Sequence, residues 1–283
     1  MNSKPHTLNY RLSTLNFYYL CAVKKIKQNI PNALTCGNLL CGCIAIVKVF
    51  EGDLVWAAYL VGIAAIFDFF DGFAARMLKV SSPIGKDLDS LADAVTFGVV
   101  PGMVMFQLLR LSFNRLIFLP VMRLSMFDQE TDVRSIICYI AFLIPIFSVI
   151  RLAKFNNDPR QSDSFIGVPT PANAIFICSL GLLVMNYNGL YAGEVFRSTY
   201  SDLILNTWYL ILVTCLMSFL LVAELPLFAL KFKNFKWADN KIRYIFLISS
   251  IVLLVCFQYV GIPIVIFLYV VFSLVNNLST KQN

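Results

Sequence analysis

Five of the sixteen carboxylates in this 283-residue chain fall between residues 68 and 93, in the run DFFDGFAARMLKVSSPIGKDLDSLAD. They are Asp68, Asp71, Asp87, Asp89 and Asp93. On a helix turning about 100° per residue, Asp71 lies about 60° to one side of Asp68. Gly72 is about 40° to the other side, Ala75 about 20° off and Arg76 about 80° off. Two carboxylates, two small residues and one guanidinium therefore share a face, while Phe69, Phe70 and Phe73 point mostly elsewhere. A following helix carries Asp89 and Asp93 as an i, i+4 pair, and Thr96 continues their stripe. Asp87 is about 160° from Asp89 and reads as a solvated acid near a helix N-terminus. Ser81, Ser82, Pro83 and Gly85 supply a turn and a helix cap between the two helices. A connection this short makes the helices antiparallel neighbours, so Asp68, Asp71, Asp89 and Asp93 converge.

Four carboxylates in apolar surroundings repel one another and are costly to desolvate, so positive charge must sit among them. A donor set of oxygen atoms alone favours a hard cation, Mg²⁺, Mn²⁺ or Ca²⁺, and such ions commonly act together with phosphates. Gly72 and Ala75 leave room for a bulky ligand beside the backbone, and Arg76 can reach a phosphate. The only histidine is His6, in the polar N-terminal stretch, so acid–base chemistry falls to carboxylates. Eight cysteines stand at 21, 36, 41, 43, 138, 178, 215 and 256 with no CxxC pair, which argues against a disulfide framework or a zinc site.

The elements that must position these groups read as membrane helices. The chain is 59% hydrophobic and 14% charged, a composition of integral membrane proteins. Apolar runs recur at about 33–50, 54–77, 87–110, 135–153, 171–190, 204–230, 243–259 and 261–277, which predicts an all-α polytopic bundle of about eight transmembrane helices. The last two are joined only by Val260-Gly261-Ile262-Pro263 and should form a hairpin. With both termini cytoplasmic, Lys24, Lys25, Lys27, Arg76, Lys79, Lys86, Arg151, Lys154, Arg160 and the basic run from Lys231 to Arg243 all face the cytoplasm, as does the carboxylate cluster. The connection 110–134 is the exception, carrying four arginines on the opposite side. The net charge of +7 sits in these loops and suits anionic lipid rather than nucleic acid. Residues 8–29 mix aromatics, Leu and Lys as a helix lying on the membrane surface would. Three parts follow: a basic, amphipathic segment over 1–29, a core over 30–230, and a basic loop with the C-terminal hairpin over 231–283. Glu224, near the cytoplasmic end of an apolar run, reads as a carboxylate snorkelling to water.

The spacing D-x2-D-G-x2-A-R-x8-G-x3-D-x3-D, filled by Asp68, Asp71, Gly72, Ala75, Arg76, Gly85, Asp89 and Asp93, resembles the signature of the CDP-alcohol phosphotransferase family at every fixed position. The resemblance implies a six-helix core, usually in a homodimer. It also implies transfer of a substituted phosphate from a CDP-linked donor to an alcohol, with release of CMP. By the same resemblance Asp68, Asp71 and Asp89, with part of Asp93, hold two divalent ions, Mg²⁺ or Mn²⁺ and less readily Ca²⁺. Asp93 is the general base. The face bearing Asp68, Gly72, Ala75, Arg76 and Gly85 receives the CDP phosphates, and Asn32 and Thr35 either contact the nucleotide or cap a helix.

Segments 30–46, 85–102, 151–158 and 165–174 resemble the bacterial integral-membrane branch that makes phosphatidylserine from CDP-diacylglycerol and L-serine, and the C-terminal hairpin fits that branch. Lys154 departs from it, standing where an Arg is expected. The branch implies a bacterial inner membrane. Arg151, and after it Lys154, are the cations expected to meet the serine carboxylate, with Asn156 and Thr170 as weaker polar contacts. All of these could equally be positive-inside anchors or structural polar groups. Other acceptors, namely glycerol 3-phosphate, inositol phosphate or choline, stay open. A cation transporter would instead place its carboxylates near mid-membrane on several helices.

Overall fold

The computed structural model describes residues 5–80, 82–115, 123–126, 129–157, 165–185, 203–227 and 237–280. Helix α1 runs over Pro5–Phe50, α2 over Leu54–Leu78 and α3 over Pro83–Asp93. A π-helical segment, Ala94–Val99, leads from α3 directly into α4, Val100–Arg115. A short hairpin of β1, Arg123–Met126, and β2, Gln129–Asp132, precedes α5, Val133–Cys138. One 3-10 turn, Tyr139–Phe142, joins α5 to α6, Leu143–Asn157. Then come α7, Thr170–Met185, α8, Thr207–Val222, α9, Trp237–Phe257, and α10, Gly261–Thr280. Strands β3, Phe165–Ile166, and β4, Pro226–Leu227, pair between the loops that flank α7 and α8.

The protein is helical and built for a membrane. Among the described residues, five stretches are long and apolar enough to cross a bilayer: 29–50, 54–78, 83–113, 136–157 and 240–273. Helices α7 and α8 are apolar but only 16 residues each. Within 240–273 the chain doubles back: the ring of Phe246 on α9 lies tilted at 5.7 Å from that of Tyr269 on α10 and edge-on at 6.3 Å from that of Phe272. The hairpin expected at Gly261 is therefore present. Large apolar side chains such as Leu40, Phe50, Ile66, Leu212, Ile251 and Val255 stand exposed, which is sensible only where lipid is the solvent.

The run expected as one helix over 204–230 forms α8 only over Thr207–Val222 and is followed by β4, and two further differences from the sequence reading lie in α1 and α3. The stretch 8–29 is helical, but it continues without a break into the first apolar run, so that α1 passes through Pro31 instead of starting after it. Proline lacks an N–H, so it takes one hydrogen bond out of the helix there. The third rod starts at Pro83, four residues before the expected 87. Ser82 caps it, its Oγ accepting from Gly85 N–H at 3.0 Å, and Pro83 follows at the first helical position, where a missing N–H does no harm.

A core of Ala45, Val49, Ala57, Val61, Ala64, Phe97, Val104 and Ile177 ties α1, α2, α4, the π segment and α7 together. Small residues bring these helices close. Gly42 is the tightest case: a Cβ there would lie 2.3 Å from Thr96 Oγ1 and 3.1 Å from Thr96 Cα. That approach lets Thr96 Oγ1 donate to the Asn38 carbonyl at 3.2 Å, joining α1 to the π segment just beyond Asp93.

Candidate functional site

The end of α2 and the start of α3 build one half of the site. Helix α2 stops in a Schellman motif: Lys79 takes the left-handed conformation, its N–H bonds the Arg76 carbonyl, and Val80 N–H bonds the Ala75 carbonyl. The chain then turns into the Ser82 cap. This short return brings oxygens of Asp68, Asp71 and Asp89 within 4.8 Å of one another. Asp71 is only 6% exposed and accepts at Oδ2 from Thr35 Oγ1 at 2.7 Å, so α1 holds the cluster from behind. Asp93 is 8% exposed, and its Oδ1 accepts from Asn38 Nδ2 at 3.0 Å. Thr35 and Asn38 are i, i+3 neighbours on α1 and steady one aspartate each.

Beside the carboxylates lies a cleft of about 250 Å³ whose lining includes Asn32, Thr35, Asp71, Gly72, Ala75, Gly85 and Asp89. Seven of the residues singled out from sequence thus share one surface. Gly85 sits where a side chain would press on Asn32 Oδ1 at 3.0 Å. Arg76 is exposed on the last turn of α2 and does not line this cleft. Asp87 is exposed, as its angle predicted. Lys86, which the sequence reading placed only among the topology charges, does line the cleft. Its Nζ donates to the Asn156 carbonyl at 2.9 Å, and Asn156 Nδ2 donates to Ser90 Oγ at 2.7 Å, clasping α3 to the end of α6.

The donor chemistry suits a hard cation. The three carboxylates meet without an ion pair to any Lys or Arg among the described residues, and Asp89 Oδ1 is buried with no hydrogen-bond partner. An oxygen-only set with an orphaned buried carboxylate oxygen fits Mg²⁺, Mn²⁺ or Ca²⁺.

The other half of the site lies between α6 and α7. Arg151 is 7% exposed, its Nη1 reaches Thr170 Oγ1 at 3.4 Å, and its guanidinium lies 5.7 Å from the Phe155 ring centre. The clasp from Lys86 to Asn156 and from Asn156 to Ser90 holds its helix against α3, which ends in Asp93. Lys154, three residues on, is exposed. The loop that delivers Thr170 is strapped to the end of α8: Gly167 N–H donates to the Leu225 carbonyl at 2.9 Å and Val168 N–H to the Leu220 carbonyl at 3.0 Å. Gly167 has φ +76°, and a Cβ there would meet the Leu221 carbonyl at 2.5 Å. Tyr269 of α10 packs on the cluster of Val168, Leu227 and Val270, so the C-terminal hairpin backs the same loop.

Sequence reasoning passed over Asn38 and Lys86, and weighed Asn156 and Thr170 only lightly. An asparagine inside an apolar span is itself a signal, because it must find partners there, and Asn38 stands three residues after Thr35 on the same face.

The comparisons with known proteins agree with this geometry. Residues 28–196 match the CDP-alcohol phosphatidyltransferase family. The CDP-diacylglycerol–serine O-phosphatidyltransferase of Bacillus subtilis (strain 168) is 30% identical over 207 residues, covering 73% of this chain and 91% of the relative. A protein of the same name from Helicobacter pylori (strain J99) is 33% identical over 162 residues, 56% of this chain and 60% of the relative. The archaetidylserine synthase of Methanothermobacter thermautotrophicus is 29% identical over 164 residues, 56% of this chain and 61% of the relative. The match spans the aspartate cleft, the Arg151 helix and the loop to Thr170, and the chain belongs to the CDP-alcohol phosphatidyltransferase family.

Proposed function

We propose that this protein makes phosphatidylserine, transferring the phosphatidyl group of CDP-diacylglycerol to the hydroxyl of L-serine and releasing CMP. The observation that carries the reading is a carboxylate cleft together with a buried guanidinium, Arg151, on the helix that Lys86 and Asn156 clasp to α3. The relatives named for serine transfer support the choice of acceptor.

Asp68, Asp71 and Asp89, with part of Asp93, would hold two divalent ions, Mg²⁺ or Mn²⁺. When bound, the metal neutralises the pyrophosphate and the leaving CMP. The rest falls to the chain. Gly72, Ala75 and Gly85 leave the cleft open for the CDP phosphates, and Asn32 and Lys86 line it. Arg76, exposed on the adjacent turn, meets the donor only if the donor extends beyond the cleft. Asn38 holds Asp93 Oδ1, leaving Oδ2 to accept the serine hydroxyl proton. The serine oxygen attacks the phosphatidyl phosphorus as the bond to the CMP oxygen breaks. Transfer is direct in this reading: the fixed positions of the motif hold no Ser, Cys or His, and Ser82 and Ser90 are engaged in the α3 cap and the clasp to Asn156.

Arg151 takes the serine carboxylate. Among the described residues the cation buried here is Arg151, with Lys154 exposed and Arg160 lying outside the described residues; one guanidinium matches one carboxylate better than the phosphate dianion of glycerol 3-phosphate or inositol phosphate, and choline has no anion to use it. All eight helical rods cross the membrane in this reading. The cleft and both termini face the cytoplasm of a bacterial inner membrane, and the chain works as a homodimer.

The test is CMP release by the purified protein with CDP-diacylglycerol and Mg²⁺ or Mn²⁺, comparing L-serine, glycerol 3-phosphate, inositol phosphate and choline, with Asp93→Asn alongside. Release that needs L-serine and falls about 10²- to 10⁴-fold in Asp93→Asn is expected. Release with another acceptor instead of serine overturns the acceptor. Undiminished release by Asp93→Asn overturns the base.

A further inference from the structure

Arg151 accounts for one charged end of an amino acid, and serine has two. Four buried side chains near Arg151 and Asp93 carry polar atoms without a hydrogen-bond partner: Asn38 Oδ1, Ser148 Oγ, Arg151 Nε, and both Asn173 Nδ2 and Asn173 Oδ1. Ser148 and Asn173 are each 0% exposed. Such atoms are expensive to bury unless something pairs with them.

Their placement follows from the Arg151–Thr170 contact. Arg151 is in the last two turns of α6, and Thr170 opens α7. Ser148 is three residues before Arg151 and Asn173 is three after Thr170, so each shares its partner's face one turn away. The two helices run in opposite directions from that contact, so both steps lead the same way, deeper into the bundle. Ser148 also borders the π segment that follows Asp93: a Cβ on Gly98 would lie 3.3 Å from Ser148 Cβ. Ser148, Arg151 and Asn173 therefore lie within one turn of the Arg151–Thr170 contact between α6 and α7, with Ser148 also against the π segment that follows Asp93.

We propose that Asn173, with Ser148 beside it, is the ammonium site of the acceptor pocket and so a specificity-determining residue. This rests on the acceptor reading above. Serine then has a partner for each group: its hydroxyl at Asp93, its carboxylate at Arg151, and its ammonium at Asn173 Oδ1 and Ser148 Oγ. A carbonyl and a hydroxyl accept from an ammonium without adding charge, which suits a space that already holds a guanidinium and a carboxylate. Alcohols that lack an amine leave these atoms unpaired and are disfavoured.

The experiment is CMP release by the full-length protein at saturating CDP-diacylglycerol with L-serine varied, for wild type, Asn173→Leu and Ser148→Ala. The leucine matches the amide in shape and removes only its unpaired buried polar atoms, so melting temperature should hold or rise. The serine KM should rise about 10- to 100-fold in Asn173→Leu, as expected for loss of a hydrogen bond to a charged group, with the CDP-diacylglycerol KM unchanged. Ser148→Ala should move the serine KM in the same direction by less. Inhibition by 3-hydroxypropionate, which keeps the hydroxyl and carboxylate but lacks the amine, should be the same in variant and wild type. An unchanged serine KM in folded Asn173→Leu overturns this inference alone, as does equal weakening of 3-hydroxypropionate. A wild type that releases no CMP with L-serine overturns the acceptor reading and this inference together. Should Asn173→Leu fail to fold, an unchanged serine KM in Ser148→Ala overturns the proposal and a raised one supports it.

Discussion

The carboxylate cleft between α2 and α3 and the buried polar groups of α6 and α7 follow opposite rules. The cleft gathers like charges at the ends of two sequence-adjacent helices, leaves them partly open, and needs a cation from outside to be stable. The groups on α6 and α7 are, among the described residues, one buried guanidinium and a few neutral side chains with hydrogen-bonding atoms left unpaired. In the proposed reading one half takes the multiply charged group of a CDP-linked donor, and the other takes a small molecule with one charge of each sign. Variants should therefore separate: those in the cleft lose the reaction with every acceptor, and those beyond it lose serine.

Asp71→Asn should have the largest effect. It removes a carboxylate oxygen from the cluster and weakens the hold of Thr35. Partners one shell out from a metal are worth about 10- to 100-fold, so a direct ligand should exceed that. CMP release should fall below detection with every acceptor, and chelation of divalent ions should do the same to wild type. Substantial activity in chelator would break the comparison, since the cleft would then have no need of a cation.

Arg151→Gln comes next and should act on one substrate. Removing a buried charge-assisted hydrogen bond costs about 1.5–3 kcal/mol, or roughly 10- to 100-fold in serine KM, with the donor KM unchanged. If both KM values rose together, the guanidinium would belong to the donor side. Gly42→Ala should be smaller and would act at the joint between the halves. Its Cβ would collide with Thr96, pushing α1 off the π segment and stretching the bond from Asn38 to Asp93. Overpacking of this kind costs about 1–3 kcal/mol, visible as a lower melting temperature, and kcat should fall more than either KM.

The two halves were also unequally legible in the sequence. The cleft is local: Asp68, Asp71, Gly72, Ala75, Gly85 and Asp89 lie within 22 residues, and helical periodicity with one short turn suffices to bring them together. The hairpin at Gly261 follows from the apolar runs for the same reason. The acceptor side was barely legible. Arg151 and Thr170 are 19 residues apart across a loop, and Thr170 is delivered by pairing to the end of α8, more than 50 residues further on. Nothing local distinguishes Asn173 from a helix residue facing a neighbour. Nor does periodicity reveal a π segment, which shifts the phase of Thr96 and everything after it. The unbroken α1 went unseen because Pro31 usually marks a helix start, whereas here the helix continues through it.

The smallest predicted effect is the sharpest check on what burial decides. Arg151 and Lys154 stand one turn apart on α6, and by charge and topology they are equivalent; Lys154 even occupies the place where the resembled branch has a second arginine. The structure separates them, placing the guanidinium at Thr170 and Phe155 and leaving the ammonium exposed. An exposed charge is screened by water and salt, and its loss typically changes stability by no more than about 0.5 kcal/mol. Lys154→Gln should leave the serine KM within about 2-fold of wild type, with melting temperature unmoved. A change in the serine KM comparable to that of Arg151→Gln would mean that the acceptor is held at the rim by two cations. The buried space would then lose its claim to the carboxylate, and an acceptor carrying a phosphate would become the better fit.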